Sequence, residues 1–235
     1  MAQSNRLYER NTVDSRTLET FFFGEGSRRL FGALARPKGT AKIGIVFSPP
    51  YGEEMVNTYN RLSRWSKQLA QQDDLAVLRF HPYGTGESDG TFADYTVDGA
   101  TADLVTAIRR LRQEPGVERV GVLGVRFGAV PAVRAAATLS GDSAPDFLAL
   151  WSPVIDLNQY LRELLRFKLT TGMVHQKPDA PKATLKTMTA ELEAGRSVDI
   201  VDYELSPAMF RQMKAITTVS YTHLRAHETK ANLVC

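Results

Sequence analysis

Apolar residues recur along this chain with two spacings. Short runs alternate or run continuously, longer ones repeat every three to four residues, and the two kinds follow one another from about residue 20 to residue 155. Leu18 to Phe23 and Arg29 to Ala35 flank Gly24-Glu25-Gly26, which predicts a hairpin. Lys42 to Ser48 is a continuous β-type run closed by Pro49-Pro50, a pair that no helix interior tolerates, and so reads as a buried strand. Asn57 to Gln72 places Tyr59, Leu62, Trp65, Ser66 and Leu69 on one helical face. Leu75 to Phe80 is the next strand. Asp98 to Gln113 carries Ala102, Val105, Ile108 and Leu111 on one side and is stopped by Pro115-Gly116. Val117 to Val125 predicts a strand, Phe127 to Leu139 a largely buried helix, and Phe147 to Trp151 another strand.

This alternation is the pattern of an α/β fold with a mostly parallel sheet covered by helices. After Pro153 the character changes. Leu157 to Leu169 is an amphipathic helix, Gln176 to Pro181 a polar break, Thr184 to Ala194 a further helix and Val198 to Leu205 a candidate strand, with Pro207 opening one more helix. The expected division is a polar segment over 1–17, a core over 18–155 and a cap over 156–218, the cap following the sixth strand.

Composition narrows the function classes. The 235 residues are 43% hydrophobic and 23% charged, which excludes a disordered or fibrous chain. No apolar run approaches the roughly 20 residues that a membrane helix needs, and Met1 to Arg16 has no apolar signal core, so a cytoplasmic location is expected. The net charge of +3 is interspersed, and Arg109, Arg110 and Arg112 lie on an amphipathic helix without interleaved aromatics, so no nucleic-acid partner is expected. The single cysteine, Cys235, allows neither an internal disulfide nor a thiolate metal site. Gly84-Thr85-Gly86 lacks the Lys-Ser/Thr of a phosphate loop. No cofactor is expected, and the partner class is a small-molecule or acyl substrate.

The chemistry is carried by Gly121-Val122-Leu123-Gly124-Val125-Arg126-Phe127-Gly128-Ala129, a strand entering a helix through closely spaced glycines. This is the frame of a nucleophile elbow, G-x-S-x-G, with Arg126 where the serine would stand. Pro49-Pro50-Tyr51-Gly52-Glu53-Glu54, following an earlier strand, lies where an oxyanion loop would lie. Its N–H donors begin at Tyr51, since proline has none. His81-Pro82-Tyr83-Gly84-Thr85-Gly86-Glu87-Ser88-Asp89-Gly90 follows the next strand.

In this order, and together with Phe21-Phe22-Phe23-Gly24 and Leu150-Trp151-Ser152-Pro153-Val154, these segments resemble the α/β-hydrolase superfamily. Within it they are similar to serine-aminopeptidase-like and exosortase-associated hydrolases, over most of residues 19 to 212. The His81 loop resembles the D-x-x-G-x-G-x-S loop of that superfamily. The resemblance implies a hydrolase fold with a cap after the sixth strand and action on an ester, thioester or amide. It implies backbone N–H groups of Tyr51 and Phe127 as oxyanion donors.

Arg126 has two readings: a guanidinium suited to an anionic ligand at a helix start, or a partner of Glu53, Glu54 or Asp89 closing the pocket. The second is favoured. Glu53 and Glu54 are general-base candidates, against the simpler reading of acids ahead of the helix at Asn57. Ser48, Ser88 and Ser152 lie near strand ends but outside an elbow frame.

A hydrolase of this fold takes its acid and histidine from downstream of the elbow. Only His175, His223 and His227 lie there. Val219 to Cys235 resembles a translated sequencing adapter and is set aside, which removes the cysteine and two histidines. The fold is therefore expected to be truncated at its C-terminus, short of the strands that would carry the acid and histidine. The chain as it stands is expected to be inactive and, with an uncovered sheet edge, poorly soluble. The alternative function is a non-catalytic module that binds an anionic small molecule or a partner segment.

Overall fold

The computed structural model describes residues 17–72, 75–175, 184–201 and 203–216. The segment over 1–16, the polar break at 176–181, and the tail with His223 and His227 lie outside the described residues. Six strands form one sheet in the order β1 (Leu18–Glu25), β2 (Arg28–Ala35), β4 (Leu75–Phe80), β3 (Ile43–Ser48), β5 (Arg119–Val125) and β6 (Phe147–Trp151). The β1–β2 hairpin is antiparallel and joins β4 antiparallel, whereas β4, β3, β5 and β6 are mutually parallel.

The period-two pattern divides the strand side chains between two apolar layers. Phe47, Val77, Leu123 and Val125 pack with Leu62 and Trp65 of helix α1 (Glu53–Gln72). Their alternates Val46, Leu78 and Val122 face Leu104, Ile108 and Leu111 of α2 (Val97–Arg112) and Ala132 of α3 (Ala129–Thr138). Strands covered on both faces need continuous apolar runs, which is how β3 to β5 read in sequence.

Beyond β6 come α4 (Leu157–His175), α5 (Leu185–Glu193), a two-stranded hairpin of β7 (Val198–Asp199) and β8 (Glu204–Leu205), and α6 (Pro207–Ala215). Leu157, Leu161, Leu165, Leu192, Ile200, Met209 and Met213 share one buried cluster with Tyr51, Tyr95 and Phe127, so this region is anchored over the loops at the C-terminal ends of β3 and β5.

Several boundaries differ from the sequence reading. The first hairpin turns at Gly26 and Ser27, while Gly24 stays within β1 at φ +109°. Helix α1 starts four residues before Asn57, because Gly52 at φ +60° redirects the chain and Glu53 and Glu54 then favour the helix N-terminus. The single strand expected over Val198 to Leu205 is two short strands, with the Ile200 N–H donating to the Tyr203 carbonyl at the bend. A separate 3-10 turn, Arg126–Gly128, precedes α3. Among the described residues β1 and β6 are the edges of the sheet, and on β6 Phe147 and Trp151 are exposed. No helix among them is long and apolar enough to cross a membrane.

Candidate active site at the elbow

The turn after β5 has the geometry its glycines imply. Arg126 adopts φ +52°, a left-handed conformation that costs a non-glycine residue roughly 1 kcal/mol or more. The tight turn around it is possible because Gly124 and Gly128, two residues to either side, have no side chains. A Cβ on Gly124 would stand 2.7 Å from the Ala129 Cα, and one on Gly128 would overlap the carbonyl oxygens of Ser48 and Pro49. The second contact brings the elbow directly against the Pro49–Glu54 loop. Two of the sequence motifs thus meet at one point.

The Arg126 side chain turns to that loop. Its Nε donates to Glu54 Oε1 at 3.0 Å, and Nη2 lies 2.9 Å from the same oxygen. Tyr160 of α4 donates its hydroxyl to Glu54 Oε2 at 3.2 Å, and Arg126 Nη1 reaches the Ser152 carbonyl at 3.5 Å. Ser152 itself sits at φ +47°, and the Val154 N–H donates to the Arg126 carbonyl at 3.3 Å. The elbow is therefore held from β6 and from α4 as well as from α1. Arg126 and Glu54 each keep about a third of their side-chain surface exposed, at 37% and 33%. Burial works against the Arg126 charge, but the bonds to Glu54 outweigh it and raise its pKa above the ordinary arginine value.

Of the residues singled out from the sequence, Arg126, Glu54, Tyr51 and Phe127 come together, and the pairing of Arg126 is with Glu54. Asp89 is committed elsewhere, forked onto Arg29 through both its oxygens. Glu53 lies beside Glu54 in the first turn of α1, more exposed, and accepts from Asn57 Nδ2 at 3.3 Å. Phe127 is fully buried against Tyr51, with ring centroids 5.5 Å apart. Its backbone N–H belongs to the first turn of the elbow helix, where no intrahelical acceptor exists.

Tyr51 is 1% exposed and ringed by Phe92, Tyr95, Phe127 and Tyr203. Its hydroxyl and that of Tyr203 make no hydrogen bond among the described residues, yet neither is sealed off. Burial, with Tyr203 and Tyr95 close by, pushes the Tyr51 phenol well above its ordinary pKa. Burial and Glu54 do the same to Tyr160. Both are neutral hydrogen-bond donors at physiological pH.

Nothing in the sequence marks Tyr160, Tyr203 or the Ser152 carbonyl as parts of this site. Tyr160 sits on the apolar face of its helix and reads as core; its partner is 106 residues away. The described histidine contacts lie elsewhere: His81 touches Phe31, Tyr59 and Glu87. His175 falls in α4, and its side chain is not described. Ser88 is engaged structurally, accepting from the Phe31 N–H and donating to the His81 carbonyl. Among the described residues no group of three or more His, Cys, Asp or Glu side chains could hold a metal ion.

No protein-family model and no curated protein matches the sequence. Solved structures do match. A protein of Agrobacterium vitis S4 superposes with a TM-score of 0.57 at 17% identity over 84% of this chain and 72% of its own. The α/β hydrolase GrgF from Penicillium sp. sh18 gives 0.53 at 17% over 88% and 77%. Est1E from Butyrivibrio proteoclasticus, solved with ferulic acid bound, gives 0.53 at 18% over 83% and 71%.

Proposed function

We propose that in this α/β-hydrolase fold, with arginine in place of a nucleophile at the elbow, the elbow is a binding site for a small molecule bearing a carboxylate or another oxyanion, and that the residues present do not carry out hydrolysis through an elbow nucleophile. The observation that carries this reading is the Arg126 guanidinium, held in a left-handed turn at a helix start and still partly open to solvent. The helix N-terminus, the guanidinium and the neutral hydroxyls of Tyr51 and Tyr203 are all donors, a set that suits an acceptor-rich ligand. Glu54 keeps the cation neutralised until a ligand anion takes its place, and Tyr160 holds Glu54 when it is released.

A second reading keeps the chemistry of the fold: hydrolysis of an ester, thioester or amide. It is favoured by the unpaired N–H at Phe127 and the nearby Tyr51, which would receive an oxyanion. Arg126 would then orient an anionic substrate while Glu53 or Glu54 activates water. Glu53 is the freer of the two, since both oxygens of Glu54 are already engaged.

Calorimetric titration with ferulate and with simple aliphatic carboxylates separates these readings. Binding that is lost in Arg126→Ala, without p-nitrophenyl ester turnover in the parent, is the expected result. Turnover that purifies with the protein and falls in Glu53→Gln selects hydrolysis. Binding unchanged in Arg126→Ala removes the arginine from the site.

A further inference from the structure

A second cation lies apart from the elbow, in the seam between β4 and α1. Arg79 is only 9% exposed. Its neighbours in register are Phe47 on β3 and Ala33 on β2. Its Nε donates to Ser66 Oγ and its Nη2 to Ser63 Oγ, both at 3.1 Å, and its guanidinium carbon lies 5.2 Å from the centre of the Tyr59 ring. No carboxylate among the described residues pairs with it. A guanidinium has five N–H donors, so three remain unused here, and Nη1 makes no bond yet is not sealed from solvent. A buried cation with neither counter-charge nor full hydrogen bonding is costly, which separates Arg79 from the ion-paired arginines elsewhere in the molecule.

The surroundings supply further donors and no competing acid. His81 follows Arg79 by two residues, just past the end of β4 and on the side where α1 packs. Its ring is 5.7 Å from Tyr59, and Nδ1 faces the Glu87 N–H and carboxylate, which leaves Nε2 without a partner among the described residues. The Tyr59 hydroxyl has no partner among the described residues, and Ser63 accepts from Arg79 while its own hydroxyl hydrogen is uncommitted. The one nearby carboxylate, Glu87, is engaged by His81.

We infer that the Arg79, Ser63 and Tyr59 cluster is a binding site for a compact oxyanion of the phosphate class, separate from the elbow. A phosphate offers several acceptor oxygens in different directions. It matches an arginine edge and a serine hydroxyl, with the Tyr59 ring against the same guanidinium and no carboxylate among them. The anion supplies the counter-charge that the described chain does not.

The test is titration of the full chain with inorganic phosphate at constant ionic strength, reading thermal unfolding and the Arg79 Nε–Hε NMR cross-peak. The expected result is a saturable rise in Tm of roughly 3 to 6 °C at about ten times Kd, with the Arg79 peak moving on the same isotherm. Arg79→Met should remove the saturable component. Ser63→Ala and Tyr59→Phe, mild changes that keep the fold even if Arg79→Met does not, should each weaken binding about fivefold. Arg126→Met should leave the isotherm of the Arg79 peak in place, whatever it does to anion binding at the elbow. A response that is only linear in phosphate, that is indifferent to Ser63→Ala and Tyr59→Phe, or that disappears with Arg126→Met overturns the assignment.

Discussion

Two glycine-rich turns stand at the C-terminal ends of β4 and β5, which flank β3 in the sheet, and they treat left-handed backbone in opposite ways. In the loop from His81 to Gly90 every positive φ belongs to a glycine: Gly84, Gly86 and Gly90 at +83°, +51° and +90°. Charged side chains tie it down. Asp103 accepts from the Tyr83 N–H at 2.8 Å and from Arg28 Nε at 2.9 Å, and Asp89 forks onto Arg29. At the elbow the positive φ belongs to Arg126 and is flanked by glycines that cannot be enlarged. Nearby hydroxyls lack partners among the described residues. The first turn is relaxed and closed, so it acts as scaffold. The second holds a non-glycine residue in a left-handed conformation and turns its side chain to Glu54, which is the geometry the proposed binding role builds on.

The largest effect that would break this contrast is expected at Gly128. A methyl group there meets backbone oxygens that cannot yield, so Gly128→Ala should cost about 3 kcal/mol or more in chemical denaturation. A change under about 1 kcal/mol would mean that the elbow is not packed against the Ser48–Pro49 carbonyls.

Next is the scaffold corner. Asp103 is 2% exposed and ties α2 to the hairpin and to the His81 loop. Asp103→Ala leaves the Tyr83 N–H and Arg28 unpaired and should destabilise by about 2 kcal/mol, read from the shift in denaturation midpoint. Because Arg28 keeps 41% of its side-chain surface, water recovers part of the loss on that side.

The strain at the elbow can be measured by a pair of variants. Arg126→Gly and Arg126→Ala both remove the ion pair, but only glycine accepts φ +52° freely. The glycine variant should therefore be the more stable by about 1 kcal/mol. Equal stabilities would show that the left-handed turn is lost once the arginine is gone, and the comparison with the His81 loop would fail.

The smallest effect is a pH dependence confined to the scaffold loop. Burial holds the His81 pKa below its ordinary 6.5; Glu87 pulls it upward and Arg79 adds to the lowering. The unfolded chain therefore takes up a proton more readily than the folded one. Stability should be undiminished above about pH 6.5 and decline as the pH falls from there through the lower folded-state pKa. His81→Gln should flatten that part of the profile, followed by thermal unfolding at several pH values. A slope that survives the substitution would assign it to another group.

Much of this was legible in the chain. The apolar runs of β3, β4 and β5, the turn residues between them and the glycine frame around Arg126 are local or periodic features. They are dictated by which side chains a twofold or 3.6-residue repeat can bury and by which residue types a tight turn admits. They were enough to specify an α/β fold and to mark the elbow and the loop it meets. Element ends were less secure: the start of α1 depended on Gly52, whose Cβ position is occupied by the Tyr203 ring 151 residues along the chain. Likewise, the choice of Glu54 over Glu53 or Asp89 as the partner of Arg126 needed the Tyr160 hydroxyl from α4, and the isolation of Arg79 became visible only when α1 closed over β4 without bringing an acid. Sequence determined which residues could make this architecture, because burial and backbone preference act residue by residue. Tertiary structure decided which charges met and which were left alone, because Coulomb and hydrogen-bond partners are chosen by distance in space, and neighbours in space here are often a hundred residues apart.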